Sequence, residues 1–464
     1  MSAPRHRRVW VVVIATLLLV GSLSGPLIAS TAVASPAKWT GAKFLESKAW
    51  LMDMPDMAAS PTGHVVLAYG RYKRLENMHA QDSRSGRVVV RVKPRRSDRF
   101  GSPTFRGPAG SHFAKIEVTP SGEIILLWQQ RGGLLFASFG RFGKPWSKPT
   151  RILGLQPVDG YFLSTGPDGT AAIMAGGGSG APTHTGDLYV ATRAPNEPFG
   201  EFQMITEPGY DLGGRSAISA GVDGHATAVW TARCPLGVPL ADIADTQFAD
   251  VSPGSLSSPI DIPGFKCPLF DVELAQDRNG VQYYKSGGFE NEFGVRVASR
   301  MPNGNFSAAQ TMESGDYLVG RSILSVSATG FATVLWDVQR QAAIWRTGYQ
   351  FSRAWNGGLF SQPRLIKPNP YRWYTYLGDV STRPSGSVDA IWIDGKSSVI
   401  AFSRGRPGTP VIGPSFRKKI QAPLDCLPDM KVLDGQSPRY FAWWSLQRVS
   451  RNCEIRGIEW VNRR

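Results

Sequence analysis

Short apolar runs and glycine-containing turns alternate along almost the whole chain, and the arrangement returns about every fifty residues. Each unit has an apolar run, a turn such as PTG, PSG or PDG, and a second apolar run that ends in an aromatic residue. The clearest pair, GRSAISAGVDGHATAVW (214–230) and GRSILSVSATGFATVLW (320–336), agrees at Gly, Arg, Ser, Ser, Gly, Ala, Thr and Trp. Such runs around a tight turn predict a β-hairpin in every unit. The turn glycines of the units are Gly63, Gly122, Gly169, Gly224, Gly280, Gly330, Gly386 and Gly435.

Each hairpin continues into a third apolar run, such as GRVVVRVK (86–93), and a weaker fourth run that begins with an aromatic residue, such as FGSPTFRG (100–107). Four strands per repeated unit are typical of a β-propeller. We therefore predict an all-β, eight-bladed β-propeller with four-stranded antiparallel blades. The count becomes seven if the divergent fifth and eighth units are misread.

The two ends of the chain complete one unit. The eighth unit stops after its third strand, RGIEWVNRR (456–464), whereas the strand-like segment WTGAKFLESK (39–48) precedes the first unit. Because an open ring would expose an unpaired strand edge, we expect the N-terminal strand to pair with the last blade and close the ring.

The first 34 residues have the pattern of a secretory signal peptide. Arg5, Arg7 and Arg8 precede an apolar run over residues 9–20, and the small residues Ala32 and Ala34 offer a cleavage site. The alternative is an uncleaved membrane anchor, but glycine, serine and proline interrupt the run before the roughly 20 residues that a span needs. We predict cleavage after Ala34, a propeller domain over residues 35–464 and a secreted, extracellular protein with no membrane span in the mature chain.

The cysteines fit an exported protein. The chain has four, Cys234, Cys267, Cys426 and Cys453, and an even number in an exported chain favours disulfides. Strand order places Cys426 and Cys453 at the same end of one blade, and Cys234 and Cys267 on the same face of adjacent blades. We predict the pairs Cys234–Cys267 and Cys426–Cys453. Neither a metal-binding spacing nor a cofactor motif is present in the sequence, so we expect no metal and no cofactor.

The repeated unit, with its PDG or PSG turn, its second strand ending in Trp and its fourth strand beginning F-s-x-P, resembles the units of secreted bacterial propellers related to the sialidase/BNR-repeat group. The resemblance covers nearly all of the mature chain and implies a propeller fold. The Asp box of sialidases, S-x-D-x-G-x-x-W, is not matched, and neither their arginine triad nor their tyrosine–glutamate pair can be assigned. The resemblance therefore implies no catalytic residue here.

Candidate binding residues lie where the first strands begin. In a four-stranded blade, this end shares a face, the top face, with the loops between strands two and three. We predict a polar ring around the central channel for a sugar or a peptide; the alternative is that these groups pair with one another or with the backbone. The candidates are Asp56, His112, Lys115, Arg215, Asp271, Arg321, Asp379 and Asp429.

Two further features bear on binding. Three long loops, 71–87, 175–186 and 231–247, belong to the top face, where long loops on rigid scaffolds often bind ligands. Arginines recur in the turn between strands three and four, on the opposite, bottom face, and the chain has a formal net charge of +16. A basic rim would attract polyanions; the alternative is a solvated arginine repeated with its unit. These arginines are Arg95, Arg96, Arg141, Arg193, Arg300, Arg353, Arg404 and Arg406.

Two functions fit this sequence. The first is a non-enzymatic binding or scaffold propeller, which we expect to be a monomer, that contacts a cell-envelope glycan, a polyanion or a protein through its top face. The second is a carbohydrate-active enzyme, a sialidase-like glycosidase or a lyase, with carboxylates converging in the central pocket. The sequence leaves open whether the protein is an enzyme.

Overall fold

The fold is all-β. The computed structural model describes residues 38–39, 43–44, 50–52, 55–73, 86–95, 97, 99–152, 158–177, 187–206, 212–232, 245–266, 270–289, 292–313, 317–340, 346–366, 375–394, 399–405, 413–419, 439–447 and 453–461. Throughout these ranges the regular elements are strands, and no helix occurs. Accordingly, none of the described segments is a helix that could cross a bilayer.

The N-terminal half of the described chain forms four sheets after two short strands, β1 (Lys38–Trp39) and β2 (Lys43–Phe44). Sheet 1 contains β3 (Trp50–Met52), β4 (Asp56–Ala59), β5 (Val65–Lys73), β6 (Arg87–Lys93) and β7 (Thr104–Arg106). Sheet 2 contains β8 (Ser111–Val118), β9 (Glu123–Gln130), β10 (Leu134–Arg141) and β11 (Thr150–Arg151). Sheet 3 contains β12 (Val158–Thr165), β13 (Ala171–Gly177), β14 (Leu188–Arg193) and β15 (Gln203–Met204). Sheet 4 contains β16 (Leu212–Ala220), β17 (Ala226–Ala232), β18 (Asp245–Ser252), β19 (Ser255–Leu256) and β20 (Ile260–Lys266).

The C-terminal half continues in the same way. Sheet 5 contains β21 (Phe270–Gln276), β22 (Gln282–Phe289), β23 (Glu292–Arg300) and β24 (Gln310–Glu313). Sheet 6 contains β25 (Tyr317–Val326), β26 (Phe331–Arg340), β27 (Arg346–Trp355) and β28 (Arg364–Ile366). Sheet 7 contains β29 (Thr375–Thr382), β30 (Val388–Asp394), β31 (Val399–Gly405) and β32 (Gly413–Lys419). The last two strands are β33 (Arg439–Gln447) and β34 (Cys453–Val461).

Each sheet is an antiparallel meander in chain order, with its first strand at one edge. In sheet 1, β3 and β4 both pair with β5 and together occupy the first-strand position; in sheet 4, β19 and β20 both pair with β18 and share the fourth position. The four-strand repeat predicted from the sequence is therefore present in each of these seven sheets.

Sheet 8 joins the two ends of the described chain. Strand β34 pairs with β33 on one side and with β1 and β2 on the other, so that Trp39 lies opposite Trp460 and Phe44 opposite Arg456. The N-terminal strands thus take the fourth-strand position that the eighth repeat lacks. The segment predicted to be its first strand, residues 428–434, lies outside the described residues.

Neighbouring sheets pack face to face through their apolar side chains. The first strands β4, β8, β12, β16, β21, β25 and β29 each lie beside the next one along the chain. Apolar clusters fill the spaces between successive sheets; one of them unites Tyr283 and Val295 of sheet 5 with Trp336 and Val338 of sheet 6. The core is therefore a series of layers between sheets, and the tryptophans of the second strands, such as Trp128, Trp230 and Trp336, belong to these layers.

The turn glycines explain the repeat locally. The seven of them that lie in described turns have φ between 74° and 99°, in the left-handed region that favours glycine. In sheet 2 the Gly122 N–H donates to the Thr119 carbonyl (2.9 Å), and the Glu123 N–H donates to Thr119 Oγ1 (3.1 Å). This is the tight turn with a glycine bulge that connects many hairpins.

Substitution of two of these glycines would distinguish the cost of backbone strain from the cost of a steric clash. A Cβ on Gly122 would meet no atom within 4 Å, whereas a Cβ on Gly330 would lie 2.9 Å from Oδ2 of the buried Asp277 carboxylate. We expect Gly122→Ala to lower the free energy of unfolding by about 1 kcal/mol, the cost of a left-handed alanine. Gly330→Ala should cost about 1 kcal/mol more, because the buried carboxylate must shift. Urea denaturation measures both, and equal losses would contradict the steric argument.

Candidate functional site

A backbone irregularity recurs near the beginning of the first strands. In sheets 2 to 7 the pairing between the first and second strands shifts register, as in a β-bulge. Bulges redirect side chains and are frequent beside functional sites. The shifts lie between His112 and Lys115, Val158 and Gly160, Leu212 and Ser216, Phe270 and Glu273, Val319 and Ser322, and Leu377 and Asp379.

Most of the predicted ring residues lie at these bulges. His112, Lys115 and Asp379 border a register shift, whereas Arg215, Asp271 and Arg321 lie inside one. Asp56 begins β4, and Asp429 lies outside the described residues. The side chains of Arg215 and Asp271 are likewise outside the description. We refer to the bulges of sheets 2 to 7, with the residues inside and beside them, as the bulge rim.

Carboxylates near the rim bind backbone amides. Asp56 Oδ2 accepts the N–H of Ile116 in sheet 2 (2.9 Å), and Glu273 Oε2 accepts the N–H of Leu324 in sheet 6 (2.6 Å). Asp379 Oδ1 accepts the N–H of Val380 (2.9 Å). The first strand is an edge of its sheet, so some of its N–H groups have no ladder partner. Asp56 and Glu273 supply an acceptor from the preceding sheet, and Asp379 supplies one within its own strand. These hydrogen bonds favour the alternative that the carboxylates near the rim pair with backbone groups.

Phe113 is the exceptional residue of the rim. Its φ of 49° is left-handed, which is costly for a bulky side chain, and yet its ring is 52% exposed. The neighbouring sheet holds it in place, because the Tyr161 hydroxyl donates to the Phe113 carbonyl. The His112 ring packs edge-on against it, with centroids 4.8 Å apart, and Phe162 presents a second exposed ring on the adjacent first strand.

Sequence reasoning missed Phe113, although a signal was present. Phe113 stands nine residues before its turn glycine, as Arg215, Asp271 and Arg321 do before theirs. The prediction of a polar ring includes only polar residues at this position and therefore leaves out an aromatic residue in the same place.

The prediction of a solvated basic rim on the bottom face is wrong for two of the third-strand arginines. The Arg193 guanidinium is buried and bonds Glu123 of the preceding sheet through Nη2 (2.9 Å). Arg300 is buried in the same way against Asp250 (2.5 Å). Arg141, in contrast, is exposed and donates to Asn196 Oδ1 (2.8 Å). Burial between sheets removes the first two cations from the charge that a polyanion would meet.

The buried arginines also fill space between sheets. The Arg193 guanidinium carbon lies 4.5 Å from the Phe139 ring centroid, and that of Arg300 lies 4.6 Å from the Phe248 ring centroid. In each pair the arginine and the phenylalanine come from neighbouring sheets. These arginines stabilise the packing of one sheet on the next through stacking and an ion pair together.

Several expectations fall on residues that are not described. They are the signal peptide over residues 1–34, the centres of the three long top-face loops, and Cys234, Cys267 and Cys426. Cys453 begins β34, but its side chain is not described. The disulfides and the loops therefore stay predictions. Among the described residues, no cluster of three or more His, Cys, Asp or Glu side chains could hold a metal ion.

The fold and the rim define an all-β protein of consecutive four-stranded antiparallel sheets with bulged first strands. The sequence matches no protein-family model and no curated protein. Among solved structures, it is similar to a lectin from Burkholderia pseudomallei, with 15% identity over 80% of this chain and 99% of the lectin and a TM-score of 0.47. It is also similar to an ulvan lyase, with 13% identity over 73% of this chain and 90% of the lyase and a TM-score of 0.45. An α-L-arabinanase from Penicillium chrysogenum shows 7% identity over 75% of this chain and 92% of that chain, with a TM-score of 0.39. Likenesses this weak carry no argument about this chain.

Proposed function

We propose that the protein is a secreted, non-enzymatic binding module that holds a cell-envelope glycan at the bulge rim. The observation that carries the proposal is Phe113, which combines a left-handed backbone with an exposed aromatic ring. Neither feature stabilises the folded chain, and strained residues of this kind cluster at functional sites.

The chemistry of the rim suits a glycan. Exposed aromatic rings such as those of Phe113 and Phe162 pack against the apolar C–H faces of sugars, and the imidazole of His112 and the ammonium of Lys115 add polar contacts. The formal net charge of +16 favours an anionic polymer, because a net positive charge concentrates polyanions at the surface. The three long loops predicted for the top face, 71–87, 175–186 and 231–247, would extend this surface.

The carboxylates support binding over cleavage. Most glycosidases use two acidic groups, one of which must hold a proton for the leaving group. The described carboxylates near the rim, Asp56, Glu273 and Asp379, instead accept backbone N–H groups. Oxygens that hold the backbone in this way stabilise the fold, which supports a structural and binding role for these carboxylates over proton transfer.

The architecture that we propose for this function is a closed, eight-bladed β-propeller. Two observations support it: the first strands of sheets 1 to 7 lie side by side in chain order, and β1 and β2 pair with β34. The short chain between Phe44 and Trp50 then links sheet 8 to sheet 1. Radial repetition of this kind leaves only short, protected sheet edges.

The test is Phe113→Gly in the mature protein, residues 35–464, on an array of bacterial cell-envelope glycans that includes teichoic acid. Glycine adopts a φ of 49° without strain, so we expect the midpoint of thermal unfolding to stay equal or to rise. Affinity for the arrayed glycan that binds best should fall about tenfold or more, which corresponds to about 1.4 kcal/mol.

The matched control is Phe105→Ala, which removes a similarly exposed ring from the outermost strand of sheet 1, away from the rim. This variant should bind as the wild type does. Wild-type affinity in Phe113→Gly would refute the rim as the site, and cleavage of any arrayed glycan would favour the enzymatic alternative.

A further inference from the structure

A pocket of about 360 Å³ opens between sheets 4 and 5, at the opposite end of the sheets from the bulge rim. Three turns border it: the hairpin turn of sheet 4 around Val222, the hairpin turn of sheet 5 around Asn279, and the turn after Arg300. Pockets that hold small ligands have volumes of roughly 300–1,000 Å³, so this one suits a ligand of one or two rings. We refer to it as the turn-side pocket.

One wall of the pocket is rigid. Arg300 holds Asp250 through two hydrogen bonds, Nη1 to Oδ1 (2.6 Å) and Nη2 to Oδ2 (2.5 Å). Its guanidinium packs beside the T-shaped pair of Phe248 and Phe306 rings, 4.6 and 5.8 Å from their centroids. A bidentate pair fixed by stacking keeps its geometry without a ligand, so little ordering cost remains when a ligand binds.

Buried polar side chains beside this wall form a hydrogen-bonded network. Gln282 Nε2 donates to Thr227 Oγ1 (2.7 Å) and to Gln276 Oε1 (2.9 Å), while Thr227 Oγ1 donates to Asp250 Oδ1 (2.8 Å). Gln282 and Thr227 are buried and Gln276 is half-buried. The Oε1 atom of the Gln276 side chain is therefore held as an acceptor, and the N–H groups of its Nε2 atom face a ligand as donors.

The mouth of the pocket offers donors and acceptors together. The exposed side chains of His225, Arg278, Asn279 and Asn303 surround it. The Asp250 side chain is 47% exposed, so its carboxylate has lone pairs that remain accessible beside those that Arg300 occupies. A hydroxyl group donates and accepts at once, and a ligand that is rich in hydroxyls can satisfy both kinds of group.

The carboxylate stays charged in this setting. Burial opposes the ionisation of Asp250, but the hydrogen bonds from Arg300 and Thr227 and the charge of Arg300 outweigh it and hold the pKa of Asp250 below its ordinary value. Of the described residues that line the pocket, Asp250 alone has a carboxylate. An ionised acceptor without a second acid fits binding and does not fit glycoside hydrolysis.

We infer that the turn-side pocket is a second binding site, specific for a hydroxyl-rich ligand of one or two sugar units. It is separate from the bulge rim and does not depend on the function proposed there. Its fixed wall selects the orientation of the sugar, and the side chains of the two hairpin turns close over its hydroxyls.

The test uses ligand-observed NMR with the mature protein and a panel of glucose, mannose, N-acetylglucosamine, glucuronate and cellobiose. At least one of these probes should show saturation transfer from the protein. The decisive variant is Arg278→Ala with Asn279→Ser, because serine occupies the same turn position in sheets 2 and 7, as Ser121 and Ser385, and is compatible with the turn.

We expect the double variant to weaken binding of the responding sugar about tenfold or more. Its matched control, Pro120→Ala with Ser121→Ala, alters the equivalent turn of sheet 2 and should bind as the wild type does. Phe113→Gly should also leave the signal unchanged, which separates this site from the rim. Absence of transfer from every probe, or wild-type transfer in a folded double variant, overturns the assignment.

Discussion

Replacement of Arg300 by alanine is expected to lower the free energy of unfolding by about 3 kcal/mol, at the low end for a broken ion pair because Asp250 is only half-buried. The change removes a buried guanidinium that packs against the rings of Phe248 and Phe306. It also takes from Asp250 the two hydrogen bonds that compensate for its partial burial. The loss is measurable by urea denaturation at neutral pH.

The matched control is Arg141→Ala. Arg141 stands at the same end of a third strand, but it is exposed and has a single side-chain bond to Asn196. Its loss should change stability by about 0.5 kcal/mol or less. Equal losses in the free energy of unfolding at the two positions would mean that the ion pair between sheets 4 and 5 stabilises the fold no more than an exposed arginine does.

Acid titration adds a second readout of the same pair. The pKa of Asp250 is depressed in the folded protein despite the opposing effect of burial, because Arg300 and Thr227 bond to its ionised form. A carboxylate whose pKa is lower in the folded than in the unfolded protein stabilises the fold at pH values above its unfolded-state pKa. This stabilisation is lost as the pH falls through the folded-state pKa. The stability difference between wild type and Arg300→Ala should therefore narrow below pH 3.8, the ordinary pKa of an aspartate. A constant difference would locate the effect in packing alone.

The fold class follows from the sequence because the information is local. A glycine such as Gly122 is required where the hairpin turn needs a left-handed residue, and Trp128 lies in the second strand where a layer between sheets needs a large apolar side chain. The same pattern recurs in every unit, so the fold class can still be predicted when the pattern of one unit is unclear. The pairing of β1 with β34 involves opposite ends of the chain, and here the missing fourth strand was the only guide.

The site depends on contacts that periodicity does not encode. Arg193 and Arg300 recur in the sequence as a solvated turn residue would, and their acidic and aromatic partners in the preceding sheet distinguish them from Arg141. Asp56 was predicted for the correct end of the strand, but its bond to the Ile116 amide crosses from one sheet to the next. Pairings between sheets join residues some fifty positions apart, and hydrophobic patterning carries no signal for them.

The bulges show a related limit of sequence reasoning. Alternation of side chains along the sequence describes a regular first strand, whereas the register shifts in sheets 2 to 7. A bulge adds a residue on one strand and turns the following side chains toward the other face. The inward or outward direction of Arg215 and Arg321 could therefore not be derived from alternation along the strand.

Replacement of Trp336 by alanine should have the largest effect on stability among single changes in the described layers, about 4 kcal/mol. The Trp336 ring is fully buried between sheets 5 and 6 among apolar side chains such as Val295 and Leu324, and its Nε1–H donates to Gln350 Oε1 (3.0 Å). Alanine would leave a cavity and an amide oxygen without its donor. Trp355→Ala is the control: that ring is 62% exposed and stacks against Phe331, so its loss should cost about 0.5 kcal/mol. If the layers between sheets hold the fold together, urea unfolding of Trp336→Ala remains a single transition at a lower midpoint. A separate early transition confined to sheets 5 and 6 would instead mean that the layers unfold independently.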